Sequence, residues 1–195
     1  MKAIGPMEAI GLTAFGGPDV LRVLDLLELP MGTTVAVTGA AGAVDGYAVQ
    51  PAKADGFRVI ADAAPKDQHL VKELGADVVL LRGTDFPELV RKEIPAGVDG
   101  LVDTAGITAL AIRAVRDGGR MASSVGGVQV PGERGIQTRN AFVPQYAREH
   151  GKLDRLRELT EKGGLTPRVA RPCRPSKPPK RTDCWRQAAS GDECC

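Results

Sequence analysis

The feature that most constrains this 195-residue chain is a short apolar strand that runs straight into two closely spaced glycines. The strand is Thr34-Val-Ala-Val-Thr38, and Gly39-Ala-Ala-Gly42-Ala-Val44 follows it without a break. From Val44 onward the apolar residues fall at helical spacing, so the sequence predicts a strand, a tight turn and a helix. A unit of this kind implies a second, parallel strand, because parallel strands need a crossover connection.

The same alternation of strands and helices continues through the middle of the chain. Further strands are predicted at 57–61, 76–80, 100–103, 119–123 and 140–143, and helices near 66–74, 85–93, 107–116 and 149–162. This repetition predicts an α/β fold, a Rossmann-type doubly wound parallel sheet.

Three segments differ in composition. Residues 1–30 are predicted to form a short β segment, with Val20-Leu-Arg-Val-Leu24 as a strand, and residues 31–170 form the Rossmann-type domain. Residues 171–195 are rich in proline and charge and have no periodicity that could build a core, so we expect a disordered tail.

The tail contains all four cysteines and a basic excess, with six Lys/Arg against three acids. The cysteine spacings match no zinc pattern, so no metal site is predicted. A basic tail could bind nucleic acid or acidic lipid, but charges among prolines are more often simply solvated. No apolar run approaches the ~20 residues that span a bilayer, and the first residues resemble no secretory signal. The sequence therefore predicts a cytoplasmic protein without a nucleic-acid or membrane partner.

The glycine turn has a chemical interpretation. A pyrophosphate is bound by backbone N–H groups of a turn without side chains and by the positive end of a helix, which Gly39 and Gly42 would provide. Asp62 follows Gly42 by 20 residues, the spacing at which an acid can bind an adenosine ribose. The sequence predicts a dinucleotide site here, although a glycine-rich turn can also be only a tight connection.

Two residues depart from that pattern. Asp45 occupies the position of the third small residue, and its charge would repel a pyrophosphate by about 4 kcal/mol at ~4 Å and an effective dielectric constant of ~20. An acid in a first helical turn also suits the helix dipole, so Asp45 has a structural interpretation as well. Pro51 falls inside the predicted helix and cannot donate to the carbonyl of Tyr47, which predicts a kinked or shortened helix.

The sequence resembles the zinc-independent, quinone oxidoreductase-like branch of the medium-chain dehydrogenase/reductase family. The resemblance rests on the run from Thr34 to Val44 and on Phe57-Arg-Val-Ile-Ala61, Glu73-Leu-Gly-Ala-Asp-Val-Val79 and Val102-Asp-Thr-Ala105. Residues 9–21 resemble the first strands of that family's substrate domain, so the likeness covers about 9–26 and 31–170. It implies metal-free hydride transfer from NADPH to a quinone, an enone or a related carbonyl compound.

The resemblance also implies roles for individual residues. Those expected to contact the cofactor are Gly39, Ala41, Gly42, Ala43, Val44, Asp62, Lys66, Asp103, Thr104, Ala105, Ser124, Val125 and Gly126. Lys66 would pair with an adenosine 2′-phosphate, which favours NADP(H), whereas Asp62 would favour NAD(H), and the resemblance favours NADP(H). Lys66 could instead be a solvated helix start, and Asp103 a strand-end cap.

Most of the family's substrate domain has no counterpart between the opening strands and Met31. We therefore expect an impaired quinone reductase-like oxidoreductase, which could work from a cleft shared in a homodimer. The alternative is a non-catalytic NADP(H)-binding remnant. No catalytic residue is predicted from the sequence.

Overall fold

Six parallel strands form one sheet, in the order β3-β2-β1-β4-β5-β6, in a computed structural model that describes residues 24–125, 133–141 and 150–167. The strands are β1 (Thr34–Thr38), β2 (Arg58–Ala63), β3 (Val78–Leu81), β4 (Val98–Asp103), β5 (Val115–Ser123) and β6 (Gln137–Asn140). From β1 the chain adds β2 and β3 on one side, and it then returns to add β4, β5 and β6 on the other side of β1. The strand order therefore reverses between β1 and β4. This arrangement confirms the predicted Rossmann-type sheet.

Helices cover both faces of the sheet. They are α1 (Ala43–Ala54), α2 (Gln68–Glu73), α3 (Phe86–Glu93), α4 (Thr108–Ala111) and α5 (His150–Glu161), with short 3-10 helices at Pro65–Asp67 and Ile112–Ala114. One apolar cluster joins α1, α2 and α5 to one face, and a second joins α3 and α4 to the other. Neighbouring residues of β1 divide between them, with Val35 and Val37 in the first cluster and Ala36 in the second. Side chains on both faces are buried, as a doubly wound sheet requires.

Pro51 does not shorten α1, which continues through it to Ala54. Of the two expected outcomes, the shortened helix was therefore wrong, and the kinked helix stays a prediction. The proline lies in the last turn, where it is buried, and its neighbours Ala48, Val49 and Ala52 belong to the first apolar cluster. Packing of this face holds the helical backbone in place despite the donor that proline lacks.

Residues 24–29, which we call the strap, lie across β4 and reach the far strands of the sheet. Leu27 is fully buried, and Gly100 makes room for the strap, since a Cβ there would come within 2.5 Å of Leu29. The Glu28 carboxylate accepts hydrogen bonds from Arg120 of β5 at 2.6 Å and from Arg139 of β6 at 2.7 Å. These bonds hold the pKa of Glu28 below its usual value.

The largest differences from the sequence-based boundaries lie in the last third of the sheet. The strand expected at 140–143 is observed at Gln137–Asn140, and residues 142 and 143 lie outside the described residues. All four residues of β6 are exposed, so this edge strand has no apolar pattern to reveal it. The strand expected over 20–24 lies outside the described residues apart from Leu24, which is helical. The tail at 171–195 also lies outside them, and the division into three segments stays a prediction.

Candidate functional site

The predicted turn connects β1 to α1 at the point where the strand order reverses. Gly39 has φ +77°, a left-handed conformation that favours glycine, and the amide of Gly42 donates to the carbonyl oxygen of Gly39 at 2.8 Å. Gly42 is the N-cap of α1 and makes no side-chain cap. The first N–H groups of a helix have no intrahelical acceptor, so this turn can present them to an anion.

The structure places the predicted turn residues together at this corner. Ala41 and Gly42 are half-buried, and Ala43 and Val44 are the first two residues of α1. Asp45 is the third residue of the helix, in the first turn. The backbone therefore matches the arrangement that binds a pyrophosphate, with Asp45 as the departure from it.

Asp62 points into the turn. Its side chain is only 2% exposed, and Oδ1 accepts from the amide of Gly39 at 2.5 Å and from that of Ala40 at 3.3 Å. Its other oxygen, Oδ2, lies 3.4 Å from Nε of Arg82, the residue that follows β3. Asp62 thus shapes the turn and pairs with a cation from the neighbouring strand.

Lys66 lies in the 3-10 helix after β2 and is exposed. Within the described residues its side chain makes no hydrogen bond or ion pair. Because it follows β2, it lies on the β2 side of the turn.

Asp103 ends β4 and is fully buried. Oδ1 accepts from the hydroxyl of Thr38 at 2.8 Å and from the amides of Gly106 and Ile107 at 3.1 and 3.3 Å, and Oδ2 accepts from the hydroxyl of Thr108. These contacts are those of a strand-end cap, which the sequence left open as the alternative to a cofactor contact. Asp103 therefore fixes the loop that leads into α4.

Thr104 and Ala105 carry the surface of that loop. The hydroxyl of Thr104 donates to the carbonyl oxygen of Thr38 at 2.6 Å, which joins the ends of β1 and β4. Thr104 is half-buried and Ala105 is exposed. Both lie beside the point where the strand order reverses, which is where ligands of open α/β sheets bind.

The loop after β5 meets the loop after β4. The amide of Ser124 donates to the carbonyl oxygen of Asp103 at 3.1 Å, and a Cβ on Gly106 would lie 3.6 Å from the Val125 side chain. Ser124 and Val125 are half-buried and follow β5, the strand next to β4 along the carboxyl edge of the sheet. Gly126 lies outside the described residues.

Sequence reasoning missed two residues of this edge. Thr38 connects β1 to both Asp103 and Thr104, but a threonine at the end of a strand gives no distinctive signal. Arg82 could have been found, because it directly follows the third strand and the carboxyl ends of parallel strands share one edge.

Across residues 24–125, 133–141 and 150–167, no three His, Cys, Asp or Glu side chains form a cluster that could hold a metal ion. We therefore derive no chemistry through zinc. Nor does any helix within those ranges have the length and apolar character needed to cross a bilayer.

The sheet order and the glycine turn define a Rossmann-type domain of the kind that binds dinucleotides. The chain belongs to the zinc-binding dehydrogenase family, whose profile matches residues 43–148. This family consists of oxidoreductases of the medium-chain dehydrogenase/reductase type, which use nicotinamide dinucleotides, and it confirms the resemblance seen in the sequence.

Individual relatives agree with that assignment. The chain is 28% identical over 144 residues to an NADPH-dependent alkenal/one oxidoreductase, chloroplastic, of Arabidopsis thaliana, covering 73% of this chain and 34% of the relative. It is 28% identical over 138 residues to a 2-methylene-furan-3-one reductase of Solanum lycopersicum, covering 70% and 32%. A quinone oxidoreductase structure from Pseudomonas syringae has the same fold, with a TM-score of 0.69 at 22% identity, over 77% of this chain and 52% of that one.

The chain thus spans about a third of the length of these curated relatives.

Proposed function

We propose that this chain binds NADP(H) and belongs to an oxidoreductase that reduces enones, quinones or related carbonyl compounds. The observation that carries the proposal is the turn from Gly39 to Gly42, which stands at the reversal of the sheet with its first glycine in a left-handed conformation. The names of the two plant relatives support an unsaturated carbonyl substrate.

The residues present fit a dinucleotide. The helix N-terminus after Gly42 would hold the pyrophosphate, the β2 and β3 ends would take the adenosine side, and the loops at Thr104 and Ser124 would line the nicotinamide side. NADPH, when bound, supplies a hydride to the electron-poor carbon of the substrate, and a proton from solvent or an acid completes the reduction. Because no described residue here is an evident proton donor, the contribution of the described residues is to bind and orient.

A second candidate is an NADP(H)-binding domain without turnover of its own. All six described strands belong to one sheet, so the described residues form one side of a cleft and leave the opposite side unbuilt. We further propose that two copies of the chain pair through β6, which is an edge strand of the described sheet and has four exposed residues. Light scattering of the purified chain tests for such a homodimer.

Titration of the full chain with NADPH, followed by cofactor fluorescence, tests the proposal. We expect saturable binding by the wild type and tighter binding by Asp45→Asn, roughly tenfold or more, because a negative charge near the pyrophosphate is removed. Glu93→Gln is the matched control, since it removes an acid from the end of α3 on the other face of the sheet. Absence of NADPH binding in all three proteins would overturn the proposal.

Turnover distinguishes the two candidates. The oxidoreductase predicts oxidation of NADPH that depends on an added enone or quinone, with loss of absorbance at the nicotinamide band. The binding domain predicts saturable binding with no substrate-dependent loss of that absorbance.

A further inference from the structure

Arg82 has a guanidinium group that is anchored at one end and open at the other. Its backbone amide donates to the carbonyl oxygen of Ala63 at 2.9 Å, which holds it against the end of β2. Its Nε lies 3.4 Å from the Asp62 carboxylate, and its side chain is 44% exposed. Within the described part of the chain, its Nη1 and Nη2 groups make no hydrogen bond.

The anchor also fixes where Arg82 stands relative to the phosphate turn. One carboxylate, that of Asp62, accepts from the amides of Gly39 and Ala40 through Oδ1 and from Arg82 through Oδ2. The exposed guanidinium therefore lies beside the turn, on its β2–β3 side. In a sheet of this order that side receives the adenosine half of a dinucleotide.

The carboxylate of Asp62 is turned toward the protein. A carboxylate that selects NAD(H) must offer its oxygens to the ribose hydroxyl groups, and its charge repels a phosphate on the 2′ position. Here both oxygens are engaged within the protein and the side chain is 2% exposed. The group left facing solvent is the cation, and its planar array of N–H donors matches the oxygens of a phosphate.

Lys66 is a second cation that follows β2. Its exposed side chain has no partner among the described residues that would fix its position. Arg82 is held by a buried carboxylate, so less conformational freedom is lost when it binds an anion.

We propose that Arg82, held in place by Asp62, binds the 2′-phosphate of the adenosine ribose and makes this chain select NADP(H) over NAD(H). The inference rests on the proposed function, because it assigns a residue to the adenosine side of that same site. Asp62 acts as a positioning residue, and Arg82 is the residue that contacts the cofactor.

Equilibrium titration of the full chain with NADPH, NADH, 2′,5′-ADP and 5′-AMP tests the assignment. The wild type should bind the two 2′-phosphorylated probes more tightly than their counterparts. Arg82→Gln should weaken NADPH and 2′,5′-ADP roughly 10- to 100-fold, the loss expected for hydrogen bonds to a charged group, and change NADH by less than about twofold. Arg82→Lys should lie between the two, because it keeps the charge and loses the paired donors.

Two other variants complete the experiment. Arg58→Gln removes an exposed arginine from the start of β2, at the opposite edge of the sheet, and should bind all four probes as the wild type does. Lys66→Gln should change the ratio of NADPH to NADH affinity less than Arg82→Gln does.

The outcomes separate this inference from the proposed function. Equal affinity of the wild type for NADPH and NADH, or loss of selectivity only in Lys66→Gln, would overturn the role of Arg82 and leave nucleotide binding intact. Loss of NADH and NADPH together in both Arg82 variants would show a structural effect and also overturn the role. A wild type that binds none of the four probes would overturn both proposals.

Discussion

The carboxyl edge of the sheet is built in two different ways on the two sides of β1. On the β2–β3 side, the buried Asp62 divides its oxygens between backbone amides and the exposed Arg82. On the β4 side, the buried Asp103 takes its hydrogen bonds from Thr38, Thr108 and two loop amides, with no cation among its hydrogen-bond donors.

The difference shows how one residue type at equivalent strand ends can serve two purposes. Asp103 accepts all its hydrogen bonds from groups of the β1 end and of its own loop, so it fixes that loop. Asp62 uses part of its capacity to hold a cation at the surface, which is the group that we propose contacts the cofactor. What separates the two buried carboxylates is therefore the exposed cation that Asp62 holds and Asp103 lacks.

Removal of Asp103 should have the largest effect. Asp103→Ala removes the acceptor of two buried hydroxyl groups and of two part-buried loop amides, and we expect the free energy of unfolding to fall by about 4 kcal/mol, since each buried unsatisfied group costs about 1–3 kcal/mol. Urea denaturation measures this change. Asp117→Ala is the control, because Asp117 is 79% exposed and its ion pair with Arg134 should contribute at most about 1 kcal/mol. A loss as small as that of the control would contradict the role given to Asp103.

Asp62→Ala should lower the free energy of unfolding less than Asp103→Ala does, but it should weaken nucleotide binding more. Two amide donors lose their acceptor while Arg82 can turn to water, so we expect a fall of about 2 kcal/mol in the free energy of unfolding. Both nucleotides should bind more weakly because the turn loosens, and the NADPH preference should shrink because Arg82 is released. Urea denaturation and NADPH titration of the same preparation measure the two effects. If Asp62→Ala and Asp103→Ala changed the free energy of unfolding and the NADPH affinity by equal amounts, the contrast between the two sides of β1 would be wrong.

Gly39 lies between the two sides and tests the turn itself. Gly39→Ala forces a residue with a Cβ into φ +77°, which should lower the free energy of unfolding by about 1–2 kcal/mol. NADPH should also bind less tightly. Gly83→Ala provides the comparison, because a Cβ there meets nothing within 4 Å and its φ is not in the left-handed region. Equal stability of the two variants would show that the conformation of Gly39 accepts a Cβ without cost.

The smallest effect is expected at the amino end of β3, where Asp77 forms hydrogen bonds that join β3 to β2. Burial alone would raise the pKa of Asp77, but hydrogen bonds from Lys53 at 2.9 Å and the Val59 amide at 2.7 Å outweigh it, and the pKa is lowered from 3.8. The stabilisation is therefore present above about pH 4 and is lost as the pH falls through the lower folded pKa.

When the pH is lowered from neutral to below 4, the free energy of unfolding should consequently fall less for Asp77→Asn than for the wild type. Urea denaturation at the two pH values measures this difference. An identical acid dependence of the two proteins would contradict this assignment. Because Asp77 is about one-third exposed, we expect a modest difference.

The sequence predicted β1, α1 and the glycine turn closely because apolar periodicity and glycine both carry local information. It predicted α5 equally well, since Leu156 and Leu159 pack on the same apolar cluster as α1. It misplaced β6, because an exposed edge strand of Gln137-Thr-Arg-Asn140 has no buried face to create a pattern.

The site was predictable in outline and not in its contacts. Spacing placed Asp62 beside the turn, but whether its oxygens face a ligand or the Gly39 amide depends on side-chain orientation. The same holds for Asp103, whose partners Thr38 and Thr108 come from elements 65 positions before it and 5 after it. Each position in the cofactor set remains a prediction, and the titrations above address Gly39, Asp62 and Lys66.

The strap has a consequence for the order in which the chain assembles. Glu28 bonds to arginines 92 and 111 positions later, so its docking site is synthesised long after the strap itself has been made. Contacts between such distant positions form slowly, because the intervening chain must first lose conformational entropy. The ion pairs of the strap can therefore close only after β5 and β6 have been added to the sheet.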